Sequence, residues 1–83
     1  NPFNPSTTIK YFTPENGHVK VEILNVLGQV VNTLHDGVQA GGQYHEVQWH
    51  ADNFSGQTVS SGVYFYRITT GNVAKINRLV LLK

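Results

Sequence analysis

Apolar and polar residues alternate with a period of two along most of the chain. This period is typical of β-strands with one buried face, and no segment shows the 3.6-residue period of a helix. Gly and Pro also recur too often for long helices. The pattern predicts an all-β protein whose strands cover residues 7–12, 18–25, 30–35, 44–50, 61–70 and 73–83.

The segment 61–70 has the strongest strand character, because it is rich in aromatic and β-branched residues. We expect it to be the central strand. Alternation places Tyr64, Tyr66 and Ile68 on one face and Val63, Phe65, Arg67 and Thr69 on the other. Gly62 lacks a Cβ and allows a sharp bend where the chain enters this strand.

The other strands offer further inward positions. The alternation predicts these core residues: Ile9, Tyr11, Val19, Val21, Ile23, Val47 and Trp49. It places Lys20 and Glu22 outside. A turn over 25–29 with Gly28 in the left-handed region, a loop over 36–42 and a turn at 71–72 separate the strands. Six to seven short antiparallel strands of this kind predict a small immunoglobulin-like β-sandwich.

The length and charge of the chain limit the classes of protein to which it can belong. A chain of 83 residues forms one domain, here 1–83, with residues 1–6 as an extended lead-in and Phe3 at the edge of the core. The net charge is +1 and 13% of residues are charged, which argues against a nucleic-acid partner. No apolar run approaches the roughly 18 residues of a membrane-spanning helix. The chain starts with Asn1, so we expect a piece of a longer precursor.

Candidate chemistry is sparse. The four histidines do not converge as metal ligands, and the chain has no Cys. The 52–56 loop has too few carboxylates for calcium and is predicted to be a turn capped by its own side chains. No nucleophile or paired-carboxylate arrangement is recognisable, so we expect no enzyme, no cofactor and no small-molecule substrate. The aromatic residues allow a carbohydrate-binding accessory module as a third alternative, although most of them alternate with core positions.

Four stretches carry a family resemblance. They are NPFNPSTTI at 1–9, NVLGQVV at 25–31, SGVYFYR at 61–67 and RLVLLK at 78–83. Together they resemble the C-terminal sorting domain of the type IX secretion system, over the whole chain. The segment from Trp49 to Tyr64 is also similar to the immunoglobulin-like domain of flagellar hook-capping proteins.

The resemblance implies a non-catalytic module at the C-terminus of a secreted cargo. Such a module is recognised by the outer-membrane translocon, and it anchors the cargo at the cell surface of a Gram-negative bacterium. Gly62, Tyr64, Arg67, Arg78 and Lys83 match positions of the family's motifs, and we expect a partner to recognise them. No cargo precedes the module in this sequence, so we expect either an excised module or a subunit with its own role.

The terminal run 79–82 is apolar on both faces, which a one-sided sandwich strand does not require. Either a loop covers its second face, or Leu79 and Leu81 belong to an interface with another chain. The second interpretation leads to an alternative function. Copies of the domain would assemble through edge strands into an extracellular filament or surface layer.

Overall fold

Six strands form the regular structure of the computed structural model, which describes residues 6–82. They are β1 (Thr7–Thr13), β2 (Gly17–Leu24), β3 (Val30–Gln39), β4 (Gln43–Trp49), β5 (Gly62–Thr70) and β6 (Val73–Leu81). The predicted lead-in lies outside the described residues except for Ser6, as does Phe3. Within residues 6–82 there is no helix capable of crossing a membrane.

Antiparallel pairing joins the strands into two sheets. One has the order β1-β4 and the other β3-β2-β5-β6. The sheets enclose one hydrophobic cluster, which confirms the predicted antiparallel β-sandwich. Because β2 and β5 are the inner strands of the larger sheet, the prediction of a central strand over 61–70 is confirmed as well.

Side chains from both sheets form the core. Val19, Val21 and Ile23 of β2 are buried, as the alternation predicts. Trp49 is 0% exposed, and its indole Nε1 donates to the carbonyl oxygen of Asp52 at 2.8 Å. Its ring meets that of Tyr64 edge-on, with centroids 5.1 Å apart. The tryptophan thus fills the core and its one polar group has a partner.

The third strand is longer than predicted. The sequence assigns Asp36 and Gly37 to a loop, whereas β3 continues to Gln39. Gly37 lies opposite Val19, and Asp36 Oδ1 lies 2.6 Å from His18 Nε2 on the neighbouring strand. Pairing with β2 therefore outweighs the turn preference of the Asp-Gly pair.

The β1–β2 and β3–β4 connections touch at one end of the sandwich. The backbone N–H of Gly41 donates to Asn16 Oδ1 at 2.6 Å, and a Cβ on Gly41 would overlap the backbone of Glu15. Nearby, the Tyr11 hydroxyl donates to Gln39 Oε1 at 2.6 Å. Burial raises the pKa of Tyr11 above its ordinary value, and this hydrogen bond opposes part of the rise.

Candidate partner-binding site

Two turns with the same sequence pattern lie at the opposite end of the sandwich. The first covers residues 25–29 and joins β2 to β3. Asn25 Oδ1 accepts from the backbone N–H groups of Leu27 at 3.0 Å and Gln29 at 2.9 Å, and its amide donates to Gln29 Oε1 at 2.8 Å. Gly28 has φ +82°, which confirms its predicted left-handed position.

The second turn covers residues 53–57 and repeats this arrangement. Asn53 Oδ1 accepts from the backbone N–H groups of Ser55 and Gln57, both at 3.0 Å. Its amide donates to Gln57 Oε1 at 3.3 Å, and Gly56 has φ +77°. The prediction of a turn capped by its own side chains is confirmed. Both turns therefore follow the pattern Asn-x-x-Gly-Gln, with the asparagine as the cap.

An open groove of about 690 Å³ adjoins the two turns. Val26 from the first turn and Phe54 from the second line it, and they are 66% and 63% exposed. Val30, Val59 and Val63 add further apolar surface. Turn tips usually carry polar residues, so large apolar side chains held outward on two hydrogen-bonded turns are typical of a binding surface. We call this feature the turn-end groove.

Among the described strands, the first begins at this end and the last finishes there. Thr7, the first residue of β1, pairs with Trp49, whose ring packs on Tyr64. Leu81, the last residue of β6, pairs with Gly62 at the margin of the groove. Segments that are far apart in the sequence thus converge beside the two turns.

Comparison with known families identifies the domain. The sequence model of the FlgD Ig-like domain family matches residues 5–73, which include both turns and the strands β1 to β5. The chain belongs to the FlgD Ig-like domain family. Searches of curated proteins and of solved structures gave no significant match. The predicted similarity to the immunoglobulin-like domain of flagellar hook-capping proteins is confirmed, and such Ig-like domains are generally non-catalytic.

Two of the predicted recognition residues of this FlgD Ig-like domain lie at the turn-end groove. Gly62 and Tyr64 line it, and the Tyr64 hydroxyl donates to the carbonyl oxygen of Ser60 at 2.7 Å. Gly62 has φ +151°, a conformation that L side chains rarely adopt. The bend expected at the entry to β5 therefore relies on glycine. Lys83 lies outside the described residues.

The apolar end of β6 is divided between the core and the surface. Leu79 and Leu81 are buried against Tyr64 and its neighbours, so their side chains stabilise the core. Val80 and Leu82 are 52% and 78% exposed. The predicted surplus apolar face therefore exists, but Val80 and Leu82 provide it, and no loop covers it within residues 6–82.

The outer face of the larger sheet holds an ion pair between Glu22 and Arg67. Glu22 was predicted to be exposed, yet it is 5% exposed. Its Oε1 accepts from Arg67 Nε at 3.0 Å and from a terminal guanidinium nitrogen at 2.9 Å, and Lys20 Nζ lies 3.6 Å from Oε2. Glu22 is buried because side chains from adjacent strands cover it. Arg67 thus has an intramolecular partner, whereas Arg78, also on this face, is exposed.

The described part of the chain gives little support for a metal site or a sugar-binding site. Residues 6–82 contain no cluster of His, Asp or Glu that could hold a metal ion. Trp49, Tyr11 and Tyr64 are buried and Tyr66 is half-buried, as expected from their alternation. Tyr44 is exposed and packs edge-on against Phe12 on β1. The aromatic residues thus do not assemble into one broad sugar-binding platform.

The apolar residues of the turn-end groove were not predicted from the sequence. Val26 lay within a recognised turn, and Phe54 lay in a loop interpreted through its polar residues. A signal was present, because the pattern Asn-x-x-Gly-Gln occurs at both 25–29 and 53–57. Repetition of a capping pattern, with apolar residues at its unconstrained positions, would have predicted two matched turns with exposed hydrophobic tips.

Proposed function

We propose that this FlgD Ig-like domain is a non-catalytic module for secretion sorting and cell-surface anchoring. In this proposal a type IX outer-membrane translocon recognises the turn-end groove, and the cargo is an upstream domain. The module would act at the outer membrane and remain at the surface of a Gram-negative bacterium. Gly62 and Tyr64 would belong to the recognised surface, together with Val26 and Phe54.

One observation carries the proposal. The four stretches that resemble the sorting domain are far apart in sequence, and the described parts of all four lie at or lead to the same end of the sandwich. The 25–31 and 61–67 stretches contribute residues that line the groove. Leu81 from the fourth stretch pairs with Gly62, and Thr7 from the first pairs with Trp49 beside Tyr64. A recognition motif split along the chain requires this kind of convergence.

Secretion of a reporter tests the proposal. Residues 1–83 are fused to the C-terminus of a periplasmic reporter in a host with a type IX system, and surface and periplasmic fractions are assayed. We expect the fusion to reach the cell surface and Phe54→Asp to retain the reporter in the periplasm. Phe54 is 63% exposed, so this substitution should leave the fold intact.

Val38→Asp is the matched control. Val38 is 78% exposed and pairs with His18, at the end of the sandwich away from the groove. We expect this variant to be sorted like the unaltered fusion, provided that circular dichroism confirms equal folding of both variants. A periplasmic unaltered fusion would refute the sorting role. Equal sorting of the Phe54 and Val38 variants would refute the role of the groove.

A second candidate function is a self-assembling structural subunit. The observation that favours it is β6, a nine-residue edge strand that exposes Ile76 and Val80 on the outer face of the sheet. Copies could pair through this edge into an extracellular filament or layer. Light scattering of the purified chain tests the idea, and a strict monomer at high concentration would exclude it.

A further inference from the structure

The two sheets differ in width, and the difference leaves part of the sandwich uncovered. Register with β5 places Val73, Lys75, Asn77 and Leu79 of β6 on the inner face. Leu79 is buried, but Val73, Lys75 and Asn77 are exposed. The two-stranded sheet therefore covers only the end of β6 near the groove.

A cleft of about 400 Å³ occupies the uncovered region. Tyr66 and Ile68 of β5 and Val73 of β6 supply its apolar surface, and Lys10, Tyr11 and Phe12 of β1 form the facing side. No residue of β4 lines it. The cleft thus follows the edge of β1 that does not pair with β4.

This edge of β1 can accept another strand. Within residues 6–82, β4 is the one strand paired with β1. In an antiparallel pair alternate residues direct their N–H and C=O groups away from the partner, so every second residue of the seven-residue strand β1 presents such groups to the cleft. A strand added there would place alternate side chains over Tyr66, Ile68 and Val73.

The charged residues around the cleft indicate which side chains the added strand carries. Lys75 points to the cleft from the floor, and Lys10 lies on its rim with Nζ 5.0 Å from the centroid of the Tyr44 ring. No acidic side chain lines the cleft, and Lys75 has no ion-pair partner among the described residues. The β6 edge of a second copy contains Lys75 and Arg78 and no carboxylate, so pairing through that edge would bring like charges together.

We propose that the free edge of β1 binds an extended segment of a partner protein that alternates apolar residues with a carboxylate. The segment adds to β1 by backbone hydrogen bonds, its apolar side chains cover Tyr66, Ile68 and Val73, and its carboxylate pairs with Lys75. This site is separate from the turn-end groove and does not depend on the sorting proposal. Its partner is defined by strand geometry and negative charge.

Hydrogen exchange measured by NMR tests the proposal on the whole chain. The probe is the capped peptide TVTETVT, in which the two valines and the glutamate share one face of a strand. In the free protein, alternate amides of β1 should exchange rapidly, and saturating peptide should protect them. The matched peptides with Gln or Lys in place of Glu should bind about threefold to fivefold more weakly, as expected for a partly exposed ion pair.

Charge reversal completes the test. Lys75→Glu should prefer the Lys peptide over the Glu peptide, whereas Arg78→Glu, the same change on the outer face of β6, should retain the original preference. Equal affinity for all three peptides, or no protection at millimolar peptide, would overturn the proposal. So would protection of all β1 amides in the free chain. Protection that rises with protein concentration alone would instead identify a second copy as the occupant and overturn the acidic partner.

Discussion

Replacing Arg67 by Met tests how the outer face of the larger sheet is stabilised. The substitution removes the guanidinium group and keeps a long apolar side chain. In the native domain that group donates two hydrogen bonds to Glu22, at 3.0 and 2.9 Å, and Glu22 is only 5% exposed. The variant therefore leaves a buried carboxylate with Lys20 as its remaining cationic neighbour, at 3.6 Å.

The expected loss follows from these contacts. A hydrogen bond to a charged group contributes about 1.5–3 kcal/mol, so two would give about 3–6 kcal/mol. The Arg67 side chain is 34% exposed, and both water and Lys20 can compensate in the variant. We therefore expect a loss of about 2–3 kcal/mol in the free energy of unfolding. This is a large part of the roughly 4–12 kcal/mol expected for 83 residues.

Urea denaturation followed by circular dichroism measures this loss. Arg78→Met is the matched control, because Arg78 is exposed and has no carboxylate partner in the described chain, and we expect a change below about 0.5 kcal/mol. The double substitution of Glu22 and Arg67 by Leu should return within about 1 kcal/mol of the native value. A loss for Arg67→Met no greater than that of the control would refute a structural role for the pair. It would then favour the recognition role that the family resemblance implies.

Three further predictions concern the core and the connections. Trp49→Ala should cost about 3–5 kcal/mol in urea denaturation, since a fully buried ring and its edge-on contact are lost, and near-native stability would contradict its place in the core. Gly41→Ala should destabilise by about 1–3 kcal/mol because its Cβ meets the backbone of Glu15, whereas Gly17→Ala has free space and should differ little; equal effects would be inconsistent with the close approach. The pKa of Tyr11 is higher in the folded protein than in the unfolded chain. The contribution of the neutral phenol to the free energy of unfolding is therefore complete below the pKa of the unfolded chain, and it is lost as pH rises through the pKa of the folded protein. Stability should therefore fall above about pH 10 and fall less steeply in Tyr11→Phe, and parallel curves for the two proteins would contradict this.

Strand positions could be predicted from the sequence because one face of each strand is buried. Val19, Val21 and Ile23 show this clearly, since a shift of one residue would expose all three. The left-handed Gly28 was predictable for a similar reason. Each of these predictions depends on local geometry, which the sequence pattern reports directly.

Features that depend on neighbouring strands could not be predicted in this way. The continuation of β3 through Asp36 and Gly37 depends on pairing with β2. Alternation assigns Glu22 to the outer face, but its burial depends on Arg67, which is distant in sequence and adjacent in the sheet. The unequal widths of the sheets, and hence the cleft beside β1, follow from strand order, which periodicity does not encode.

In the two matched turns, the residues that fix the backbone differ from the residues that form the exposed tip. In each, three residues fix the backbone, while the two positions between Asn and Gly supply no side-chain bond to the frame: Val26 and Leu27 in one, Phe54 and Ser55 in the other. Substitution at these four positions should therefore change the exposed surface of this end with little effect on the free energy of unfolding. Related domains with this pattern could thus differ in the side chains at this end while keeping one scaffold, and new dipeptides could be grafted there.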